Sequence, residues 1–485
     1  MPVFYWNTKE KEYTLHFEGT PTVAELLREK GIPFSAPCGG NGTCGKCAVS
    51  ISGSVSAPDE REKALKTRLA CRTVLTGDAW GAPLTEEVAF AAIEGTSYQP
   101  TRPGATPFAA VDLGTTTIVV KVFRADGTLI GEAAALNPQR GYAADVIGRL
   151  HAALQGKGEA LHAAVTRRIA ELLESACAKG NVSPDEIHDL VITGNTAMLY
   201  LLTGRSPASI ATAPFASETL FGETLSLLGR ETYLPPCINA FVGADTVCAL
   251  LASGICEQEE TALLCDVGTN GEMALWKQGK LYVTSAAAGP AFEGGSISRG
   301  CGYIPGAIDR VWVANGKLFV STAENKPAVG ICGSGLLDAV ACFLEMEEID
   351  STGIIEGECL PVAGEVSLTQ MDIRALQLAK AAIRAGIECL LTASDTKAEE
   401  IAAFYLAGGF GTHLSPASGA KIGLIPRVLA GKALPLGNAA LQGACMLAAD
   451  PALREKCRAL AAKAIHVPLG GSEDFNQAFV RYMSF

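Results

Sequence analysis

The sequence lacks a stretch long and apolar enough to cross a membrane. No run of roughly 18 uncharged apolar residues occurs, and the opening MPVFYWNTKE lacks the apolar core of a secretion signal. Positive charge is also in deficit, because 39 Lys and Arg residues stand against 51 Asp and Glu residues, a net charge of −12. This balance argues against broad nucleic-acid binding and against docking on anionic lipid. We therefore expect a cytoplasmic protein with no nucleic-acid or membrane partner.

Histidine is scarce as well, with six scattered residues, whereas cysteine and apolar residues are plentiful. A chain of 485 residues that is 48% hydrophobic has the material for about two to four domains with sizeable cores. Of its 16 cysteines, most are scattered through apolar runs such as ALLCDVG and LDAVACFLE. In a reducing compartment such thiols are expected to be small buried hydrophobes rather than disulfides.

Four cysteines near the start of the chain have the spacing of a ligand set. Cys38, Cys44 and Cys47 follow the pattern C-x5-C-x2-C in the run CGGNGTCGKC, and Cys71 comes after 23 intervening residues. Three thiolates on a glycine-rich loop surround one side of a flat cluster, while a fourth closes the far side. The glycines allow backbone amides to turn toward the sulfurs. The set therefore predicts a [2Fe-2S] cluster and transfer of single electrons.

Two other interpretations of this loop fit less well. Zinc usually takes two C-x2-C pairs or a mixture of Cys and His, and here Cys71 stands alone with no nearby histidine. Zinc stays open as an alternative. Residues 40–46 also spell G-x-x-x-x-G-K, the start of a P-loop, but Cys47 follows where Ser or Thr should bind magnesium. We reject a P-loop at this position.

The segment around these cysteines resembles the β-grasp of plant-type ferredoxins. Residues 2–6 and 13–17 alternate as a hairpin would, 23–30 has the pattern of a short helix, and KCAVSIS and LACRTVL are predicted strands. The resemblance implies an α+β β-grasp domain over residues 1–93. It departs in one detail, since five residues rather than four separate the first two cysteines. Residues 94–107 contain three prolines and are predicted to be a semi-extended linker.

Two similar turns follow the linker. FAAVDLGTTTIVVKVF (108–123) predicts a strand, a turn at 112–117 and a second strand, and ALLCDVGTNGEMAL (262–275) repeats this pattern with its turn at 266–271. We call 112–117 the first phosphate turn and 266–271 the second phosphate turn. Glycine and hydroxyl residues there present N–H groups to phosphate, and an aspartate at the strand end holds Mg²⁺ through water. The predicted site comprises Asp112 and Asp266 as the catalytic pair, with Gly114, Thr115, Thr116, Thr117, Gly268, Thr269, Asn270 and Gly271 at the phosphates.

Three later segments complete the pattern. FYLAGGFGTHL (404–414) places Gly408, Gly409 and Gly411 after an apolar strand, where a backbone can approach adenine and ribose. LVITGNTAMLYLL (190–202) predicts strand, turn and helix, and GNAALQGACMLA (437–448) a small-residue helix suited to close packing at a hinge. In this order the segments resemble the actin, sugar-kinase and Hsp70 superfamily. The resemblance implies an α/β duplicated two-lobe ATPase that closes over MgATP, with lobe I at 108–258 and lobe II at 259–485.

The pairing of an electron carrier with such an ATPase resembles the reductive activators of corrinoid proteins. Four further stretches are similar to that family: NPQRGYAADVIGRL (137–150), FVGADTVCALL (241–251), GCGYIPGAID (300–309) and ICGSGLLDAV (331–340). The resemblance implies an ATP-dependent transfer of one electron to a cobalt(II) corrinoid protein of a methyltransferase system, which regenerates cobalt(I). It also implies an external low-potential electron donor and allows a homodimer. The chain lacks the cobalamin-ligand pattern D-x-H-x-x-G, which favours the reductase over the corrinoid carrier.

The resemblance has one departure and leaves two rivals. Longer activators carry an additional domain between ferredoxin and ATPase, whereas here the linker leads almost directly to the first phosphate turn. One rival keeps the ATP-driven electron donor but changes the acceptor to a radical dehydratase or another reductase. The other is a non-enzymatic, nucleotide-gated redox sensor. Iron content and the EPR spectrum distinguish the activator of a different acceptor from the corrinoid activator. Partner-stimulated ATP hydrolysis with net electron delivery would exclude the redox sensor.

Overall fold

The computed structural model of the chain describes all residues except 9–10, 33, 35, 37, 41, 43–44, 85–97, 99–105 and 412. The predicted ligand Cys44 and nearly all of the predicted linker 94–107 therefore lie outside the described residues. The rest forms a small sheet domain and two larger α/β lobes. Within the described ranges, no helix combines the length and the apolar character needed to cross a membrane.

The N-terminal domain is a five-stranded sheet covered by one helix. Its elements are β1 (Val3–Asn7), β2 (Glu12–His16), α1 (Val23–Glu29), β3 (Ala48–Val55), α2 (Glu60–Leu65), β4 (Arg68–Leu69) and β5 (Leu75–Pro83). The strand order is β2-β1-β5-β3-β4, with β1 parallel to β5. Helix α1 starts at a capping box formed by Thr22 and Glu25 and buries Val23, Leu26 and Leu27 on the sheet. This arrangement confirms the predicted ferredoxin-type β-grasp.

The run LACRTVL (69–75), predicted as a strand, is the end of β4, a turn and the start of β5. The amide of Thr73 donates to the Leu69 carbonyl at 2.9 Å. The buried Glu62 carboxylate accepts from the Leu69 amide at 2.8 Å and from the Thr73 hydroxyl at 3.0 Å. The prediction of one strand was wrong because Glu62 holds this segment in a turn. The turn carries Cys71 out of the sheet.

Lobe I is built on a six-stranded sheet in the order β10-β11-β9-β6-β7-β8. The strands β6 and β7 are antiparallel, and β6 is parallel to β9, so the strand–turn–strand prediction for 108–123 is confirmed. The strand–turn–helix prediction for 190–202 is confirmed too, since Asn195 caps the helix that follows β9. The elements are β6 (Phe108–Leu113), β7 (Thr117–Phe123), β8 (Leu129–Leu136), α3 (Val146–Ala152), α4 (Gly158–Ala178), β9 (Asp189–Gly194), α5 (Thr196–Leu202), α6 (Ala208–Ala211), β10 (Phe221–Leu227), β11 (Arg230–Pro236) and α7 (Ala244–Ser253).

Lobe II repeats this plan. Its elements are β12 (Ala262–Val267), β13 (Gly271–Lys277), β14 (Lys280–Ala286), β15 (Ala307–Ala314), β16 (Lys317–Thr322), β17 (Gly330–Ile331), α8 (Gly333–Glu345), β18 (Cys359–Ala363), β19 (Val366–Thr369), α9 (Gln370–Ala393), β20 (Ala403–Ala407), α10 (Gly408–Gly411), α11 (Pro416–Lys421), β21 (Ala433–Gly437), α12 (Ala439–Ala449), α13 (Leu453–Lys463), β22 (Ala464–His466) and α14 (Glu473–Arg481). The main sheet has the order β21-β20-β12-β13-β14-β22. Strand β12 is antiparallel to β13 and parallel to β20, as β6 is to β7 and β9. This correspondence confirms the internal duplication.

Helix α12 crosses from the second half of the chain to pack on lobe I. Its residues Leu441, Ala444 and Cys445 share a buried cluster with Phe108 of β6. A Cβ atom on Gly443 would lie 2.1 Å from the Cys248 carbonyl oxygen of α7, so only glycine permits this approach. The close packing predicted for 437–448 is therefore confirmed. Of the twelve cysteines outside the predicted ligand set, all of them described, nine are buried, as expected.

Candidate functional site

The two phosphate turns line one cavity between lobe I and lobe II. The cavity has a volume of ≈ 290 Å³. Each turn starts where a central strand ends, β6 in one lobe and β12 in the other. The predicted site residues that line the cavity are Asp112, Gly114, Thr115, Thr116, Thr117, Asp266, Gly268, Thr269, Asn270, Gly408 and Gly409. The duplication thus brings together residues that lie about 150 positions apart in the chain.

Two predicted residues are not among those lining the cavity. Gly271 begins β13 and faces α9, where an added Cβ would lie 1.9 Å from Ile383 Cδ1. Gly411 ends α10 and is buried beside Leu406. Gly408 does need to be glycine, because its φ is +87° and a Cβ there would lie 2.4 Å from Asp266 Oδ1. For Gly271 the structure shows a packing role, whereas a Cβ on Gly411 would find only ordinary contacts of 3.6 Å or more with Leu406.

Partly buried carboxylates dominate the electrostatics of the cavity. Burial raises the pKa of Asp112 to about 6 and that of Asp266 to about 7. Burial likewise raises the pKa of Asp245, at the start of α7, to about 7, and places that of Glu272 well above its ordinary range. Asn438 Nδ2 donates to Asp112 Oδ2 at 2.7 Å, which partly offsets this effect. A divalent cation bound here would stabilise the charged carboxylates.

The arrangement fits magnesium held through water. Mg²⁺ demands octahedral geometry, dehydrates reluctantly and usually keeps several waters beside one or two carboxylates and substrate phosphates. Among the described residues no three His, Cys, Asp or Glu side chains are close enough to hold a metal ion directly. The Asp112 and Asp266 carboxylates lie in the same cavity as the hydroxyl and glycine residues of the phosphate turns. A bound ion would neutralise developing charge on a transferred phosphoryl group.

A hydrogen-bonded triad joins the two turns across the cavity. The Thr116 and Thr269 hydroxyl oxygens are 3.2 Å apart. Both hydroxyls donate to Glu293 Oε2, each at 2.7 Å. Glu293 belongs to the loop that follows β14 and also lines the cavity. The triad therefore links lobe I to lobe II at the point where the two phosphate turns meet.

Buried polar side chains hold the first phosphate turn in place. Arg149 of α3 is fully buried and donates to the carbonyls of Thr115 at 2.6 Å and Ala143 at 3.0 Å. Asn137 Nδ2 donates to the Gly114 carbonyl at 2.9 Å. These bonds satisfy carbonyls that the turn leaves without a ladder partner, and so they fix its backbone.

Sequence reasoning missed several residues of this cavity: Asn195, Asp245, Glu272, Glu293 and Asn438. Asp245 lies in FVGADTVCALL, a stretch that the resemblance had singled out without assigning the carboxylate. Glu293 lies in GPAFEGG, where an acidic residue between glycines is a usable signal. Glu272 directly follows the second phosphate turn and pairs with Asp266 across the β12–β13 hairpin, and Asn438 caps α12 at the start of the stretch 437–448. Both positions therefore carried a local signal that was not used.

We call residues 38–47 the cluster loop; its described residues directly precede β3. The Cys47 and Cys71 sulfurs are 3.3 Å apart. Two thiolates on one tetrahedral metal, with bonds of about 2.3 Å, lie roughly 3.8 Å apart, so a small adjustment fits this pair to one iron. The hydrogen bond with Cys71 lowers the pKa of Cys47 to about 7, which favours the thiolate that binds metal. The loop glycines Gly39, Gly40, Gly42 and Gly45 all have φ between +66° and +93°.

Three family descriptions match consecutive parts of the chain. A 2Fe-2S iron-sulfur cluster binding domain matches residues 6–76, the RACo middle region matches 108–258, and the C-terminal domain of RACo, the ASKHA domain, matches 260–485. The family's middle region is therefore present and coincides with lobe I. Fold and site together define an iron–sulfur protein with a two-lobed ASKHA nucleotide domain.

Two relatives support a closer assignment, and one solved structure shares the fold. The corrinoid activation enzyme RamQ of Eubacterium limosum is 30% identical over 419 residues, which cover 78% of this chain and 70% of that protein. The [Co(II) methylated amine-specific corrinoid protein] reductase of Methanosarcina barkeri is 28% identical over 326 residues, 62% of this chain and 59% of that protein. The chain belongs to the RACo family of reductive activators. A solved reductive activator for a corrinoid, iron-sulfur protein shares its fold, with a TM-score of 0.73 and 24% identity over 100% of this chain and 98% of that chain.

Proposed function

We propose that the chain is an ATP-dependent reductive activator that delivers one electron from a [2Fe-2S] cluster to a cobalt(II) corrinoid protein of a methyltransferase system. One observation carries the proposal: a single chain combines a four-cysteine ferredoxin-type loop with a nucleotide cleft and aligns along most of its length with relatives named for this reaction. The product is cobalt(I), the form that accepts a methyl group.

The need for ATP follows from the chemistry of cobalt. Cobalt(I) is a very strong reductant, so making it from cobalt(II) is uphill for a ferredoxin-type donor. Each uphill gap of about 59 mV lowers a one-electron equilibrium tenfold. A nucleotide that changes the angle between two lobes can favour the reducible form of a bound partner if that form binds one lobe arrangement better.

The residues of the cleft and the four cysteines each have a role in this proposal. Asp112 and Asp266 hold the waters of Mg²⁺, and the hydroxyls and amides of the two phosphate turns bind the phosphates. Gly408 and Gly409 allow the backbone to approach the adenosine. Cys38, Cys44, Cys47 and Cys71 hold the cluster, which supplies one electron at a time when bound.

The proposal extends to the partners and the organisation of the chain. An external low-potential donor reduces the cluster, and the corrinoid protein accepts the electron. In this proposal an electron-transfer domain is tethered to an ATPase. The domain spans residues 1–93, the linker 94–107, lobe I 108–258 and lobe II 259–485. Its thiol content suits the reducing cytoplasm. A homodimer is part of the proposal and is tested by light scattering of the cluster-loaded protein.

The decisive experiment mixes the anaerobically reduced chain, MgATP and a cobalt(II) corrinoid protein of a methyltransferase system. We expect the absorbance of cobalt(II) to give way to that of cobalt(I), or of methyl-cobalt(III) when a methyl donor is present. Without ATP, most cobalt should stay cobalt(II) unless a methyl donor traps the product. If no corrinoid protein accepts an electron or stimulates ATP hydrolysis, the acceptor is a different metalloprotein or the chain is a redox sensor.

A further inference from the structure

The ferredoxin-type domain contacts lobe I through Arg28. Arg28 Nε donates to the Gly141 carbonyl at 2.5 Å, and its guanidinium lies 5.9 Å from the centroid of the Tyr142 ring. The other end of the same guanidinium donates to the Gly39 carbonyl of the cluster loop at 3.1 Å. Arg28 therefore joins the cluster loop to lobe I with one rigid, planar group that cannot lose its charge.

The cluster loop also contacts lobe II, through Lys46. Lys46 Nζ donates to the Ile297 carbonyl at 3.0 Å, and Lys46 directly precedes the predicted ligand Cys47. The Lys46 side chain makes this contact through one hydrogen bond. The contact with lobe I is stronger, because Arg167 of α4 also donates to the Lys30 carbonyl at 3.0 Å. The domain is thus held by a strong contact on one lobe and a weak one on the other.

The strong contact is continuous with the first phosphate turn. Asn137 Nδ2 donates to the Gly114 carbonyl at 2.9 Å, and the Asn137 amide donates to the Thr116 carbonyl at 2.8 Å. Asn137 also caps the short helix that ends at Gly141, the acceptor of Arg28. The segment that receives Arg28 and the first phosphate turn therefore move as one hydrogen-bonded unit of lobe I.

The weak contact is continuous with the triad in the cavity. Ile297 lies four residues after Glu293, whose carboxylate accepts from Thr116 and Thr269. A phosphate bound between the turns needs these same hydroxyl donors, and its negative charge repels the Glu293 carboxylate. Glu293 must then leave the triad. The Ile297 amide donates to the Gly294 carbonyl at 3.4 Å, which connects Glu293 to the residue that accepts from Lys46. The Ile297 carbonyl also accepts from the Gly300 amide at 3.1 Å, so the Lys46 contact is the bond that can be given up when Glu293 shifts.

We propose that Arg28 and Lys46 are positioning residues that hold the cluster loop on both lobes, and that nucleotide phosphate in the cleft releases the Lys46 contact while the Arg28 contact persists. This inference rests on the proposed function, which puts nucleotide phosphates between the two turns. Release lets the ferredoxin-type domain pivot on lobe I. The side of the loop that carries Lys46 then becomes accessible to an external electron acceptor, so nucleotide state controls where the electron can go.

The test measures the reactivity of the Lys46 amine in the cluster-loaded full chain. A pulse of an acetylating reagent followed by mass spectrometry gives the labelling rate of each lysine, with and without MgATP. Loss of one charge-assisted hydrogen bond should raise the Lys46 rate about tenfold when MgATP binds. Lys63, exposed on α2 of the same domain, is the internal control and should not change.

Variants separate positioning from a merely structural effect. In wild type, we expect MgATP to change the EPR spectrum of the reduced cluster, because the surroundings of the loop change. Lys46→Met should remove this change, Lys46→Arg should restore it and Lys63→Met should retain it. Arg28→Gln should raise Lys46 labelling even without nucleotide, because the stronger contact is lost.

Different outcomes test the inference and the proposed function on which it rests. Binding of MgATP is measured independently by calorimetry on the same samples. If MgATP binds but leaves both the Lys46 rate and the EPR spectrum unchanged, the inference is wrong and the proposed function stands. If MgATP does not bind, both are wrong. If the Lys46→Met variant does not retain its cluster, the labelling rates of the wild-type chain alone test the inference.

Discussion

The hydroxyl oxygens of Thr116 and Thr269 lie 3.2 Å apart although 153 positions separate the two residues in the chain. Each lies in the phosphate turn of its own lobe. Because both donate to the same oxygen of Glu293, the two lobes meet at a point that any bound phosphate must rearrange. This relationship makes the cleft a place where nucleotide state and lobe position are linked.

The first prediction concerns the two strand-end aspartates. Asp112→Asn and Asp266→Asn should each lower ATP hydrolysis by about a hundredfold, because magnesium loses a carboxylate partner at the developing phosphoryl charge. Thermal unfolding should be unchanged or shifted upward, since a neutral amide replaces a carboxyl that is costly to bury charged. Asp126→Asn, in the exposed turn before β8, is the matched control and should hydrolyse ATP at the wild-type rate. A wild-type rate in both cleft variants contradicts the assignment.

The second prediction concerns pH. Burial raises the pKa of Asp112 to about 6 and those of Asp245 and Asp266 to about 7, all above the value of about 3.9 for an unfolded chain. Their contribution to stability is therefore fully present below about pH 4 and is lost as the pH rises through 6 to 7. Without Mg²⁺, the unfolding temperature should fall between pH 5 and pH 8.

Asp245→Asn should flatten this fall, because the amide does not titrate. Binding of MgATP requires charged carboxylates, so it should release protons near pH 6.5. Calorimetry in buffers of different ionisation enthalpy measures the number of protons released. A melting temperature that rises steadily from pH 5 to pH 8 in the absence of Mg²⁺ would contradict the raised pKa values.

The third prediction concerns Arg149. Replacing it with Met leaves the carbonyls of Thr115 and Ala143 without their donor, which should cost about 2–4 kcal/mol of unfolding free energy. The KM for ATP should rise as well, because the first phosphate turn loses its support. Arg124→Met, on an exposed loop, should change neither quantity. Urea unfolding and steady-state ATPase assays give the two readouts, and equal stability of the two variants would exclude this role for Arg149.

The fourth prediction separates the electron-transfer domain from the ATPase. Cys71→Ala should lose the two irons of the cluster, because four thiolates are needed to hold it. The variant should still hydrolyse ATP but deliver no electrons. Cys359→Ala, which removes an exposed thiol far along the chain, should keep iron, EPR signal and electron delivery. Full iron content in the Cys71 variant, or zinc in the anaerobic wild-type protein, would refute the ligand set.

Sequence reasoning predicted most of the fold, because the decisive features are local. The two phosphate turns, the short helix predicted at 23–30 and the alternation of β1 and β2 depend on neighbouring residues. It failed at 69–75, where the side chain of Glu62, on the preceding helix, imposes a turn that the apolar pattern does not show. Glu272 and Asn438 were missed because apolar periodicity assigns no role to a polar residue at a strand start or at a helix cap. The contact of Arg28 with Gly141 joins separate domains and has no counterpart in sequence periodicity.

The buried cysteines of the two lobes influence which parts of the protein oxygen can damage. Burial raises the pKa of Cys237, Cys445 and Cys457 to about 12, and that of Cys248 well above its ordinary range. Oxidants and alkylating reagents attack thiolates, so these side chains are chemically inert while the lobes stay folded. Damage by oxygen should then begin at the iron-binding end and at the exposed thiol of Cys359, while these buried thiols stay intact. An inactivated molecule is repairable by a thiol reductant, iron and sulfide, without being made anew.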